Sequence, residues 1–267
     1  VLPGIFHVEM WVQASAIWPS GHRRTAQAIL RPSLKRSVMT IISLHLPKTA
    51  GTSFKTSLSD HFGARYRDDY ADQAISKTPF ERCRQALWRS IPIAAKGLEG
   101  VSCVHGHFLP VKYRPLGLRQ NLTFITWMRE PLARLVSHYH YWQASYDPDT
   151  AAPHHRQVIE QRWSLEAFCL SEKFRNIYAK YLWHFPLEHF AFIGISEHYE
   201  EDFGEFTRRF LSVALSPRRE NVAKTVDRQQ AVGDEFAQQV RAFHAEDVRL
   251  YQRALQMRER RLALESA

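Results

Sequence analysis

Three short stretches carry side chains that could do chemistry together. The first is LHLPKTAGTSFKTSL, Leu44 to Leu58, in which Lys48, Thr49, Ala50, Gly51, Thr52 and Ser53 follow an apolar run and open a helix-like segment. Backbone N–H groups at a helix start bind anions, and a glycine lets the backbone approach closely, so Gly51, Thr52 and Ser53 are expected to face an anionic group. A nucleotide-binding loop of the G-x-x-x-x-G-K-[ST] kind places its lysine after the last glycine. Here Lys48 comes before Gly51, where it can leave a strand end and reach the far side of the bound group. The second stretch is CVHGHF, Cys103 to Phe108. A hydroxyl nucleophile must lose its proton, and histidine is the usual base near neutral pH. His105 and His107 project to one side if the strand continues, which Gly106 can disturb. Two histidines could also begin a zinc site, but no third ligand is close in sequence. The third stretch is WMREPLARLVSHYHYW, Trp127 to Trp142. Arg129 at a strand tip and Ser137, eight residues on and about two helical turns away, can share a second phosphate. Taken singly, Arg-Glu-Pro can merely cap a helix and Ser137 can pack.

The elements around these stretches predict an α/β fold. VMTIISLHL is apolar at nearly every position, as in a strand buried on both faces. Phe54, Leu58 and Phe62 recur on one helical face, and Gly63 is a helix stop. Thr78, Pro79 and Glu81 form an N-cap, a first-turn proline and a capping-box acid for the helix TPFERCRQALWRSI. EGVSCVHGHF, NLTFITWMRE and HFAFIGI read as further strands, and Pro131 opens a helix after the second of these. Residues 146–163 read as a polar insertion or loop, 164–183 as helix, SEHYEEDFGEFTRRFL as helix, and Asp234 to Leu264 as mostly helix. Strands alternating with helices imply a mainly parallel sheet covered on both faces, a three-layer architecture of the P-loop type. In such sheets ligands sit at the carboxyl ends of the strands.

The 267 residues suit one domain, expected over 38–267. Residues 1–37 match nothing downstream, and Met39 begins the regular pattern, so the extension is expected to be disordered or not native. It has no basic region ahead of a clean apolar core, and no apolar run approaches a membrane span; a cytoplasmic protein is the expectation. Lys plus Arg (36) exceeds Asp plus Glu (27) by 9. That balance suits a polyanionic partner: nucleic acid, anionic glycan, acidic lipid surface or phosphorylated cofactor, unless it is only a solvated basic surface. Cys83, Cys103 and Cys169 form no C-x-x-C pair, which excludes a disulfide framework or a cysteine zinc site and fits a reducing compartment. Cys103 is expected in the core.

From about Ser37 to Tyr251 the chain resembles the PAPS-dependent sulfotransferase superfamily, and within it the carbohydrate branch that includes heparan sulfate and uronyl 2-O-sulfotransferases (PAPS is 3′-phosphoadenosine-5′-phosphosulfate). PKTAGTSF is similar to that family's 5′-phosphosulfate loop, REPLARLVSHYHY to its 3′-phosphate element, and FIGISEHYEE and EDVRLY to later segments. The resemblance implies Lys48 on the oxygen bridging phosphate and sulfur, without a metal, and His107 as the base with His105 as helper. It places Arg129 and Ser137 on the 3′-phosphate. A basic loop with Arg218, Arg219, Asn221, Lys224 and Thr225 closes over the cofactor or touches an acidic acceptor, as similar loops in the family do, or is a solvated turn. Asn176 and Tyr181 either face the acceptor or pack; core packing is the reading for most of Tyr139, Tyr141 and Trp142. The expected partner is a hydroxyl acceptor, a glycan or glycolipid, and not nucleic acid. The rival readings are a Mg²⁺-dependent nucleotide kinase and a non-catalytic nucleotide or polyanion binder. No apolar strand ends in the aspartate that a kinase-like metal site would need.

Overall fold

Thr40–Leu44 is a run of β-formers with no exposed position, and it becomes the central strand β1. The computed structural model describes residues 39–72, 77–213, 215 and 232–265. The expectation of a separate segment at 1–37, and the loop bearing Arg218, Arg219, Asn221, Lys224 and Thr225, lie outside the described residues. Around β1 stand β2 (Tyr66–Asp68), β3 (Cys103–Gly106), β4 (Leu122–Met128) and β5 (Phe190–Ile195), in the order β2-β3-β1-β4-β5. Every pairing is parallel, with Ser43 opposite His105 and Ile125, and Leu44 opposite Gly106 and Thr126.

Alternation along the strands sorts side chains into two layers. Ile42, Leu44, Val104, Met128, Ile193 and Ile195 join one core. It is closed by α6 (Ile177–Tyr181) and the C-terminal helix α9 (Ala245–Glu265). Ile41, Cys103, Ile125, Trp127 and Phe192 join the other core. It is closed by α1 (Gly51–Phe62) and α7 (Tyr199–Phe206). The sheet is therefore the middle of three layers, as the alternating pattern predicts. Cys103 is buried, and all three cysteines are free.

The helix α2 (Pro79–Lys96) carries the predicted capping box, with Thr78 and Glu81 bonded reciprocally. Next come α3 (Pro131–Ala144), α4 (Pro153–Glu160), α5 (Leu165–Cys169) and, later, α8 (Asp234–Phe243). One strand has no counterpart in the sequence reading, and two expectations are corrected. The edge strand β2 has only three residues, too few for a periodic signal. The 146–163 segment is not simply a loop: it contains α4, whose Val158 is buried and whose His155 ring bonds the Trp142 carbonyl at 2.7 Å. The 164–183 stretch is two five-residue helices rather than one: the first ends at Cys169, and Asn176, at φ 51, directly precedes the second. Among the described residues no helix is long and apolar enough to cross a membrane.

Candidate active site

The connection leaving β1 goes through α1 to β2, while the one leaving β4 goes through α3 to β5 on the opposite side of the sheet order. Adjacent strands whose connections part in this way leave a crevice at their carboxyl ends. Lys48 follows β1 and Arg129 follows β4, so both stand at that crevice.

The loop before α1 is bent by Lys48 and Ala50, both at φ 64. A left-handed conformation costs an L-residue roughly 1–2 kcal/mol, and non-glycine residues persist in it where function or packing demands it. Thr49 between them is buried and donates its hydroxyl to the Leu46 carbonyl at 2.8 Å, pinning the turn. Ala50 offers α1 no side-chain cap, and no acid stands in its first turn. The first N–H groups at the positive end of this twelve-residue helix are thus open to an anion. At Gly51 a Cβ would sit 1.6 Å from Nε2 of His45. The reason for this glycine is therefore firmer than backbone approach alone: an imidazole fills the place of its side chain.

Two cations converge on the crevice. Lys48 Nζ stands 3.8 Å from the centre of the Tyr141 ring, and Arg129 Nη1 donates to the Lys48 carbonyl at 3.5 Å. Burial, and then the Arg129 charge, push the Lys48 ammonium down to about 8. Burial likewise holds Arg129 below its ordinary value. Among the described residues neither makes an ion pair within 4.0 Å. Two desolvated positive groups side by side are a place where a bound anion gains most.

Arg129 is fixed through its backbone. Tyr178 Oη accepts from the Arg129 N–H at 3.0 Å and donates to the Arg129 carbonyl at 2.6 Å. The capping role that Arg-Glu-Pro could have played falls to Glu130, whose carboxylate accepts from Ala133 N at 2.7 Å. This leaves the Arg129 guanidinium for other work. Ser137 is half-buried on the same helix, α3. Tyr178→Phe is expected to lower stability by about 1–3 kcal/mol, the cost of leaving buried backbone groups unpaired. A denaturant melt with an unchanged m-value would show it.

The histidines form a stack. His45, one residue past β1, lies between the other two, its ring centre 5.1 Å from His105 and 4.4 Å from His107. The rings lie roughly face to face rather than converging, and among the described residues no group of His, Cys, Asp or Glu could hold a metal ion. His105 is fully buried, bonded through Nδ1 to Ser43 Oγ at 2.8 Å, and burial pushes it down to about 3. His107 is only half-buried, and its Nδ1 meets the His45 carbonyl at 2.5 Å. A carbonyl can only accept, so Nδ1 carries the proton and Nε2 keeps a lone pair. Burial lowers the His107 pKa, partly offset by that bond, so the ring is neutral at pH 7.

A buried clamp supports His107 from below. Asp69 N donates to His105 O at 2.9 Å and Asp72 N to His107 O at 3.2 Å. Gly106 lets this segment cross, since a Cβ there would meet the Asp69 carbonyl at 1.9 Å. Lys112 holds both acids, at 2.5 Å to Asp69 and 2.9 Å to Asp72.

Several of these groups escaped the sequence reading. His45, Tyr178 and the Asp69–Asp72–Lys112 clamp enter only through parallel register and long-range packing; the sole local hint of His45 is its place at a strand end. Tyr141 is the exception among the aromatics of α3, for most of which packing is the expectation: it is 52% exposed, with Lys48 Nζ 3.8 Å from its ring centre. Packing does hold for Tyr139, which bonds the Trp163 carbonyl, and for Trp142, which meets Phe168 and Phe174. Asn176 packs as well: its N–H bonds His244, and its side-chain oxygen accepts from Asp247 N at 3.5 Å. Tyr181 is buried, with its ring 6.1 Å from that of His107. Arg219 and Lys224 lie outside the described residues.

A parallel sheet with a strand–loop–helix at its switch point defines the class: an α/β protein of P-loop-like architecture. No protein-family model and no curated protein sequence matches the chain. Among solved structures it is similar to a sulfotransferase from Alicyclobacillus acidocaldarius, at 14% identity over 78% of this chain and 92% of that one, with a TM-score of 0.40. It is also similar to the mouse sulfotransferase SULT7A1 complexed with PAP, at 12% identity over 85% and 89% of the two chains, with a TM-score of 0.42.

Proposed function

We propose that the chain is a PAPS-dependent sulfotransferase that sulfates a hydroxyl, of a carbohydrate or glycolipid as in the branch its motifs resemble. The observation that carries this reading is the convergence of Lys48 and Arg129, both desolvated, at the switch point beside the uncapped start of α1. The donor set fits a ligand with two separate anionic groups. The N–H groups of Gly51, Thr52 and Ser53, with Lys48, would hold the 5′-phosphosulfate; Arg129 and Ser137 would hold the 3′-phosphate. When bound, PAPS supplies the sulfuryl group and leaves as 3′,5′-ADP. His107 accepts the acceptor's hydroxyl proton at Nε2 while its Nδ1–H stays on the His45 carbonyl. Lys48 would supply positive charge toward the leaving phosphate of PAPS. His105 is a helper through the stack rather than a second base, because its ring is sealed.

The direct test is transfer of label from PAPS to a panel of sugars, glycolipids and phenols. Chelation by EDTA is expected to leave turnover nearly unchanged, since Lys48 stands where a metal would otherwise assist. Complete loss restored by Mg²⁺ would support the kinase reading, and tight PAP binding with no transfer would support the non-catalytic one.

Arg129→Ala should lose most of the preference for 3′-phosphorylated nucleotides. A charged hydrogen bond is worth roughly 1.5–3 kcal/mol, or about 10- to 150-fold in affinity. Calorimetry of the 3′,5′-bisphosphate and its 3′-dephosphorylated analogue against both proteins closes a thermodynamic cycle. A coupling near zero would move the 3′-phosphate pocket away from Arg129.

A further inference from the structure

The helix α2 is turned inside out for a surface helix. Its inner face buries Arg82, Ala86 and Ser90. Its outer face shows Phe80 at 74% exposure, Leu87 at 47%, Trp88 at 68% and Ile91 at 60%. Positions i, i+7, i+8 and i+11 fall on one side of a helix, so these four large side chains make one stripe. Four of the eight large hydrophobic residues exposed among the described residues lie on this single helix.

An excess of cations lies on and near α2. Of the Lys and Arg between Lys77 and Gln120, Arg82 and Lys112 are buried and Arg89 faces Asp72 at 3.7 Å, which leaves Lys77, Arg84, Lys96, Arg114 and Arg119 against Glu81 and Glu99. Arg84 lies over the Phe80 ring at 5.9 Å, and Lys96, Arg114 and Arg119 are exposed. Beside Trp88 is an open groove of about 530 Å³ lined by Lys77, Glu81, Arg84 and Gln85. A tryptophan beside two cations suits the boundary between acyl chains and phosphate headgroups. Helices with aromatics on one side and Lys or Arg around them lie in that plane.

From this geometry we infer that α2 docks the protein on an anionic phospholipid surface, with Phe80, Trp88 and Ile91 entering the acyl boundary and Arg84 and Lys77 at the headgroups. Charge complementarity selects this occupant: a second copy of the chain would bring the same excess of cations against itself. The surface is independent of turnover, because its occupancy is read by binding. Lys77, just ahead of α2, donates to the Ala71 carbonyl at 3.3 Å, in the segment whose Asp72 N–H bonds the His107 carbonyl at 3.2 Å.

The test is vesicle flotation of the full chain. It should float with an equal mixture of phosphatidylcholine and phosphatidylglycerol and not with phosphatidylcholine alone, and binding should weaken as salt rises. Phe80→Ser with Trp88→Ser should lower vesicle affinity by about a hundredfold, roughly tenfold for each buried aromatic, at an unchanged melting temperature. Arg84→Glu should weaken binding to the mixed vesicles by a second route. Bromine-labelled phosphatidylglycerol should quench the wild-type tryptophan fluorescence, and Trp88→Phe should remove most of that quench. Soluble glycerol phosphate should not compete at matched phosphate concentration. Three results would overturn the proposal: no flotation of wild type with the mixed vesicles; flotation undiminished in the double variant; or a dimer that the double variant splits while vesicles are ignored, which would assign the stripe to a second copy.

Discussion

His107→Ala is expected to lower kcat by about 10²- to 10⁴-fold, the usual worth of a positioned general base, while affinity for the nucleotide stays close to wild type. The ring is suited to this role on three counts. It is partly accessible, it is neutral because burial lowers its pKa, and the His45 carbonyl fixes the proton on Nδ1. The sign of the pH dependence follows. A base must be unprotonated, and the His107 pKa lies below 6.5, so kcat/KM should fall as pH drops through that lowered value. In His107→Ala this acid limb should vanish along with the rate. His105→Ala removes the partner of Ser43 Oγ instead, so its main effect should be on stability. If His107→Ala keeps full rate and His105→Ala does not, the two roles are exchanged.

Lys48→Ala is expected to cost about 10²- to 10³-fold in kcat, the loss seen when one preorganised donor to a developing negative charge is removed. Arginine should rescue poorly. A planar guanidinium cannot replace a point charge that stands 3.8 Å over the Tyr141 ring at a residue held at φ 64. The ammonium must be charged to act, and in the free protein burial and Arg129 bring it down to about 8. So kcat/KM should fall as pH rises past about 8. In kcat, which reports the bound complex, the alkaline limb should lie higher, because a bound anion favours the charged lysine. An alkaline limb at the same place in both profiles would mean that Lys48 does not meet the anion. Turnover by Lys48→Ala at the wild-type rate would remove it from the chemistry.

Much of this was decided locally and could be read from the chain itself. An apolar run before Lys48, a helix start after it, and Phe54, Leu58 and Phe62 at helical spacing specify a strand, a strand-to-helix turn and a buried helical face. The capping box of Thr78 and Glu81 is equally local, and so is the alternation of strands and helices that demands a parallel sheet. Each depends on near neighbours, through backbone geometry and side-chain period. The rest depends on groups far apart in sequence. Parallel register alone brings Leu44 opposite Gly106 and slides the His45 ring between His105 and His107. That placement, with its carbonyl on Nδ1, separates a partly accessible imidazole from a sealed one, which two histidines at strand spacing could not do. Likewise Tyr178 reaches Arg129 across 49 positions, and Lys112 gathers Asp69 and Asp72 beneath the site. The sequence could name the acid, base and cation types, because a side chain's chemistry is its own. Their protonation states and access belong to the tertiary structure, because burial and neighbouring charge set them.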